Sequence, residues 1–330
     1  MDINGFSRDP LNMADSNPGR VEYCPGGVGR NIAENLHRLG TEVRFIGVIG
    51  NDPGGELIRT SSIRIGLNIE DSLFLESAGQ ATSVYIALMD SNGEMKLALA
   101  DMEILDRMTT EHLKRKAAII RESAIVVLDA NLSEEMICFI MDEFASSVSP
   151  GAGPLFFLDA VSARKAPRAA SRIGSFNTLK LGRVEASALS GIALPSDLSS
   201  EISIEEPTMR EKLKEVAARF IGKGSRRVFI TLGTKGVFAA REGKDFFAPV
   251  RYVPPVNTSG GGDAFMAGIV YGTLQQWDEE ETVSFSLACA RITVQSKLTV
   301  SPDMSLRLVE KNIEEEAHVR TPGRKGREEN

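Results

Sequence analysis

The run Asn257-Thr258-Ser259-Gly260-Gly261-Gly262-Asp263-Ala264-Phe265-Met266-Ala267-Gly268 carries the clearest chemistry in the chain. Consecutive glycines let the backbone turn tightly and point several N–H groups the same way. The apolar stretch that follows predicts a helix, whose N-terminus adds partial positive charge. An aspartate at that point can take a proton from an attacking hydroxyl. An anion hole at Gly260, Gly261 and Gly262 beside a base at Asp263 points to phosphoryl transfer to an alcohol. A tight strand-to-helix turn with an aspartate cap is the plainer reading. Three glycines in a row exceed what a cap requires.

Three other stretches hold suitable residue types. Pro25-Gly26-Gly27-Val28-Gly29-Arg30-Asn31-Ile32-Ala33-Glu34-Asn35-Leu36 approaches a dinucleotide fingerprint, but Ile32 stands at the third glycine position. Two readings fit it. One is a glycine turn that admits a polyol to the backbone, with Asn31 offering both a donor and an acceptor. The other is a glycine-rich helix start packed on a sheet. Thr231-Leu232-Gly233-Thr234-Lys235-Gly236 suits either the lining of a nucleotide pocket or an ordinary β-turn. In Leu179-Lys180-Leu181-Gly182-Arg183-Val184-Glu185 a strand gives way to a helix. Glu185 there either holds Mg²⁺ through water or is simply solvated.

The elements that must position these residues alternate between strand and helix. Apolar, β-branched runs predict strands at 43–49, 124–128, 155–158, 226–232, 236–240 and 246–253. Helical spacing predicts helices at 55–65, 133–143, 210–221, 263–275 and 279–296, the second capped by Ser133. Asp90-Ser91-Asn92-Gly93 between 82–89 and 95–100 signals a hairpin. The alternation implies an α/β fold with a mainly parallel sheet flanked by helices. The hairpin, with 11–24 and 69–75, is expected to form a small separate sheet acting as a lid. One domain over 1–313 and a charged, disordered tail over 314–330 are expected.

Bulk properties narrow the function classes. The net charge of −7 argues against a general nucleic-acid binder. Cys24, Cys138 and Cys289 are too few and too scattered for a disulfide framework or a zinc site. No apolar run reaches the ~18 residues of a membrane span, and no leader pattern is read at the start. A cytoplasmic enzyme acting on small molecules is the expectation.

In this order, the four stretches resemble the ribokinase-like carbohydrate kinases, the phosphofructokinase-B family, over about residues 1–310. Within that family the chain is most similar to the pseudouridine group. The similarity lies in Ala14-Asp15-Ser16-Asn17-Pro18-Gly19-Arg20, the early glycine stretch, Asp159-Ala160-Val161-Ser162-Ala163 and Glu185-Ala186-Ser187-Ala188-Leu189-Ser190-Gly191. It also lies in Thr82-Ser83-Val84-Tyr85 followed by Asn92-Gly93-Glu94-Met95.

The resemblance implies ATP as phosphoryl donor, the 5′-hydroxyl of pseudouridine as acceptor and Asp263 as base. It places Asp2, Asn17, Gly27, Asn31 and Asn131 around the ribose, and Thr231, Gly233 and Ala288 around the adenine nucleotide. It implies Mg²⁺ near Glu185, a monovalent cation such as K⁺, and a homodimer paired through the lid. Another sugar or nucleoside acceptor, or a nucleoside-binding homologue with impaired catalysis, are the alternatives. Two departures from the family motivate the second. Gly182 stands where the family's Asn-x-x-Glu has asparagine. Met1-Asp2-Ile3 stands where the end of a longer central strand is expected.

Overall fold

The computed structural model describes residues 1–76, 80–92, 95–145, 153–195 and 207–320. The chain opens with β1 (Asp2–Ser7), β2 (Gly19–Cys24), α1 (Val28–Arg38), β3 (Val48–Ile49), α2 (Pro53–Ile65) and β4 (Leu73–Phe74). The hairpin strands β5 (Val84–Met89) and β6 (Met95–Asp101) follow, then α3 (Thr110–Arg115), α4 (Ala117–Glu122), β7 (Ile125–Asp129) and α5 (Glu134–Ile140). Next come β8 (Leu155–Asp159), β9 (Thr178–Gly182), α6 (Arg183–Ser190), α7 (Pro207–Ile221) and β10 (Arg227–Thr231). The last elements are β11 (Val237–Arg241), β12 (Lys244–Ala248), α8 (Gly261–Leu274), α9 (Glu279–Val294) and α10 (Leu306–Arg320).

A six-stranded sheet in the order β12-β11-β10-β9-β8-β7 forms the centre. Strands β7 to β10 run parallel and β11 and β12 turn antiparallel. Both faces are covered, as their near-continuous apolar sequences require. Alternate residues go to opposite sides. Phe156, Leu158, Leu179, Leu181, Val228 and Ile230 pack with α5 and α7. Phe157 and Phe229 pack with Ile32 and Leu36 of α1 and with Phe265, Met266 and Ile269 of α8. The chain ends of the parallel strands therefore meet the starts of α1 and α8, where ligands of open α/β sheets bind.

A four-stranded sheet in the order β2-β1-β5-β6 forms the smaller sheet expected to act as a lid, with β1 parallel to β5. It differs from the expectation in two ways. Residues 69–75 lie outside it, because β4 pairs with β3 in a separate two-stranded ladder. Met1-Asp2-Ile3, expected at the end of a central strand, instead lead into β1, which lies between β2 and β5 in the smaller sheet. The central sheet instead stops at β7, which pairs only with β8 among the described strands. The other side of β7 faces a cavity, and the 43–49 segment lies across it. Without a partner on that side, 43–49 keeps only β3 and one bridge from Arg44 to Asn68.

Other boundaries also moved. β12 ends at Ala248 because Pro249 follows and a proline cannot donate to a ladder. The helix expected over 133–143 is α-helical only to Ile140, and its last turn, Met141–Ala145, is a π-helix. Residues 314–320, expected in the tail, continue α10. Residues 321–330, the hairpin's Gly93, and parts of the loops expected at 145–154 and 194–207 lie outside the described residues.

Candidate active site

The start of α8 is built by close backbone approach. Gly260 caps the helix with φ +83°, a conformation that glycine adopts without penalty. A Cβ there would sit 1.8 Å from the Thr299 carbonyl oxygen. The first intrahelical bond runs from Ala264 N–H to Gly260 O at 2.9 Å. The helix thus leaves the N–H groups of Gly261, Gly262 and Asp263 free to face an anion. Asn257 braces the turn: its side-chain oxygen accepts from Ser259 N–H at 2.9 Å and its amide donates to Lys297 O at 3.1 Å.

Asp263 is buried in the first turn of α8. Its Oδ2 accepts from Asn31 Nδ2 at 2.8 Å, across 232 residues of sequence. The two motifs singled out in the sequence therefore meet in one contact. Burial pushes the Asp263 carboxyl up to about 7, and Asp159 adds to the rise, while Lys180 and the Asn31 hydrogen bond oppose it. A carboxyl near neutrality suits a general base.

The early glycines serve close packing around α1. A Cβ at Gly26 would fall 2.1 Å from the Asp2 carboxylate, so only glycine lets Asp2 lie against this turn. Gly29 N–H donates to Asp129 Oδ2 at 2.9 Å. Burial pushes the carboxyls of Asp2 and Asp129 up. For Asp2 the Met1 amine and Arg30 oppose that rise. Asn131 N–H donates to Asp129 Oδ1 at 2.9 Å, and Lys165 Nζ donates to Asn131 Oδ1 at 2.5 Å.

One cavity of about 1030 Å³ joins these groups. Asp2, Asn4, Gly27, Asn31, Asp129, Asn131, Lys165, Gly260 and Asp263 line it. Of the expected substrate residues, Asp2, Gly27, Asn31 and Asn131 are thereby brought to Asp263. Asn17 is not. It sits in the β1–β2 loop, where its oxygen accepts from Asn12 N–H at 2.8 Å and its amide donates to Asn12 O and Asp15 O.

Of the expected nucleotide and metal residues, Thr231, Gly233 and Glu185 lie at or just after the ends of β9 and β10, outside the lining of the cavity. Gly182 and Thr231 pair across the two strands. Gly233 opens the exposed turn that follows. Glu185, in the first turn of α6, folds back over Gly182. A Cβ at position 182 would lie 2.1 Å from Glu185 Oε2. That oxygen has no hydrogen-bond partner among the described residues, and burial pushes the carboxyl up. Ala288 departs from its expected role. It is wholly buried in α9 against residues such as Ala264, Phe285 and Val309, so its methyl group offers no surface to a ligand.

Sequence reasoning gave no role to Asp129, Asp159, Lys165 or Lys180. The register lines Asp129, Asp159 and Lys180 up along adjacent strands. The available signal was a charged residue in an otherwise apolar strand: Ile-Val-Val-Leu-Asp, Leu-Phe-Phe-Leu-Asp and Thr-Leu-Lys-Leu-Gly.

A mainly parallel sheet with a smaller sheet, and a buried carboxylate at a helix start, fit a phosphotransferase. Residues 1–305 match the model of the pfkB family carbohydrate kinases, and the chain belongs to that family. The pseudouridine kinase of Escherichia coli strain K12 is 34% identical over 308 residues, covering 93% of this chain and 91% of its own length. An uncharacterized sugar kinase of the same strain is 29% identical, covering 94% of this chain and 81% of its own. The structure of a carbohydrate kinase from Agrobacterium tumefaciens superposes with a TM-score of 0.73 at 26% identity, covering 95% of this chain and 94% of that one. No helix among the described residues is long and apolar enough to cross a membrane.

Proposed function

We propose that the protein transfers the γ-phosphoryl group of ATP to the 5′-hydroxyl of pseudouridine, in the cytoplasm. The observation that carries the reading is Asp263, buried at the start of α8, lining the cavity and flanked by free amides. The similarity to a pseudouridine kinase over most of both chains supports the acceptor. Asp2, Asn31 and Asn131 hold the acceptor's ribose side in the cavity. Asp263 takes the proton from the hydroxyl as it attacks. The amides of Gly261 and Gly262 stabilise the charge on the transferring group, the main task of a protein in phosphoryl transfer. The lid sheet excludes water that would otherwise consume ATP. Thr231 and Gly233 border the nucleotide.

Glu185 Oε2, polar, buried and without a partner among the described residues, fits a contact to Mg²⁺, directly or through water. Such an ion is held by one or two carboxylates together with the substrate's phosphates, whose charge it neutralises. The assay is turnover of ATP with pseudouridine, uridine, adenosine and ribose, in potassium and in choline chloride. Turnover of another acceptor with none of pseudouridine moves the assignment within the family. Potassium stimulation is expected. The lid exposes Val21, Tyr23, Leu97 and Leu99, large apolar side chains that a second copy of the chain would cover. Light scattering at a dimer mass is the expected result, and a monomer at all concentrations removes that part.

Asp263 must be ionised to act. With its carboxyl at about 7, kcat/KM should rise with pH and level off above neutrality. At pH 6 it should be roughly tenfold below the plateau. A profile already flat from pH 5 upward would exclude Asp263 as the titrating base.

A second reading, nucleoside binding with impaired catalysis, rests on the collapse of Glu185 onto Gly182. Gly182→Asn tests it, because the new side chain must displace the carboxylate towards the nucleotide. The expected gain in kcat/KM for Mg-ATP is on the order of tenfold, the worth of one charge-assisted hydrogen bond. Full activity of the parent chain with no gain in the variant would end the second reading.

A further inference from the structure

Lys180 lies within a buried strand, between the fully buried Leu179 and Leu181. Its Nζ donates to Asp159 Oδ2 at 2.9 Å, and Asp159 is 1% exposed. Asp159 is itself fixed, because its Oδ1 accepts from Val161 N–H at 3.0 Å. A Cβ at Gly262 would fall 2.8 Å from Lys180 Nζ, so the ammonium lies against the first turn of α8. The charged groups facing it are Asp159 on β8, Asp263 on α8 and Glu185 on α6. Asp263 faces Asp159, Lys180, Asn31 of α1 and Asp2 of β1. A buried ion pair gives little net stability over apolar residues of the same size. This pair also sits where the proposed reaction develops negative charge.

We infer that Lys180, clamped by Asp159, is a positioning residue that favours the carboxylate form of Asp263 and lends positive charge to the turn facing the transferring phosphoryl group. The inference rests on the phosphoryl-transfer reading above. Its two partners act on Asp263 in opposite senses: Lys180 favours the carboxylate, and Asp159 favours the neutral acid. The shape of Gly262 follows as well, since any side chain there would push the ammonium away.

The test is a carboxyl-carbon NMR titration of the full-length protein labelled at aspartate, with the Asp263 signal assigned by its absence in Asp263→Asn. The Asp263 midpoint should rise by ~1 unit or more in Lys180→Met, fall in Asp159→Asn, and stay near the parent value in Lys180→Arg. In parallel, the rising limb of kcat/KM against pH should move up in Lys180→Met and down in Asp159→Asn. Midpoints that stay put, or move the same way in both variants, overturn the inference. If Lys180→Met does not fold, Lys180→Met/Asp159→Asn is compared with Asp159→Asn alone, and the double variant should have the higher midpoint. Absence of turnover with every acceptor would remove the kinase reading. The titration would still decide whether Lys180 controls Asp263.

Discussion

Asp263→Asn is expected to lower kcat by about 10²- to 10⁴-fold, the contribution of a positioned general base. Asparagine keeps an oxygen that accepts from Asn31 Nδ2, the hydrogen bond seen at 2.8 Å in the parent. The cavity and the helix start should therefore keep their shape, and nucleoside affinity by calorimetry should change little. Stability gives a second readout with a definite sign. Asp263 favours its neutral form in the fold, with its carboxyl raised from 3.8 to about 7. The resulting stabilisation is fully present below the ordinary aspartate range and is lost as pH rises from about 4 to about 7. Asparagine carries no charge at any pH. The variant should melt above the parent at pH 8, and the gap should narrow toward pH 5. Retained turnover in Asp263→Asn would reject the proposed base.

Gly260→Ala is expected to abolish activity and destabilise the fold. Alanine at φ +83° is strained by roughly 1–3 kcal/mol. Its Cβ would also meet the Thr299 carbonyl at 1.8 Å, which is backbone and cannot swing aside. The turn and the 297–299 segment must separate. That segment also reaches the other glycine motif, because Thr299 Oγ1 donates to Pro25 O at 3.4 Å. Gly40→Ala is the control. Gly40 has the same φ of +83°, but nothing among the described residues lies within 4 Å of an added Cβ. It should lose only the backbone strain, again roughly 1–3 kcal/mol, and keep its activity. Thermal melts and initial rates on the two variants separate backbone strain from steric displacement. Equal effects in both would show that contact with Thr299 is irrelevant.

The residues make clear why some features were legible and others not. Asp263 could be read because three glycines before an apolar helix form a local device, complete within twelve residues. The strands β7 to β10 could be read because burial on both faces demands continuous apolar runs. The lid was only half legible. Its hairpin is local, but β1 pairs with β5 across some eighty residues. Nothing in residues 69–75 distinguishes pairing with β3 from joining the lid, since either uses the same short apolar pattern. Asn17 and Ala288 show the same limit for sites: likeness of motif placed them near ligands, but packing put one in a surface turn and the other in a core.

The sequence by itself determined the chemistry on offer, the family, and the local geometry of the α8 start. These depend on residue type and short spacing, which folding cannot change. Only the tertiary structure decided that Asn31 holds Asp263, that Glu185 collapses onto Gly182, and that Lys180 and Asp159 form a buried pair beside the base. Those contacts join residues that the chain keeps apart and the sheet register brings together, and in a low-dielectric interior such neighbours set a group's charge more strongly than its own identity does.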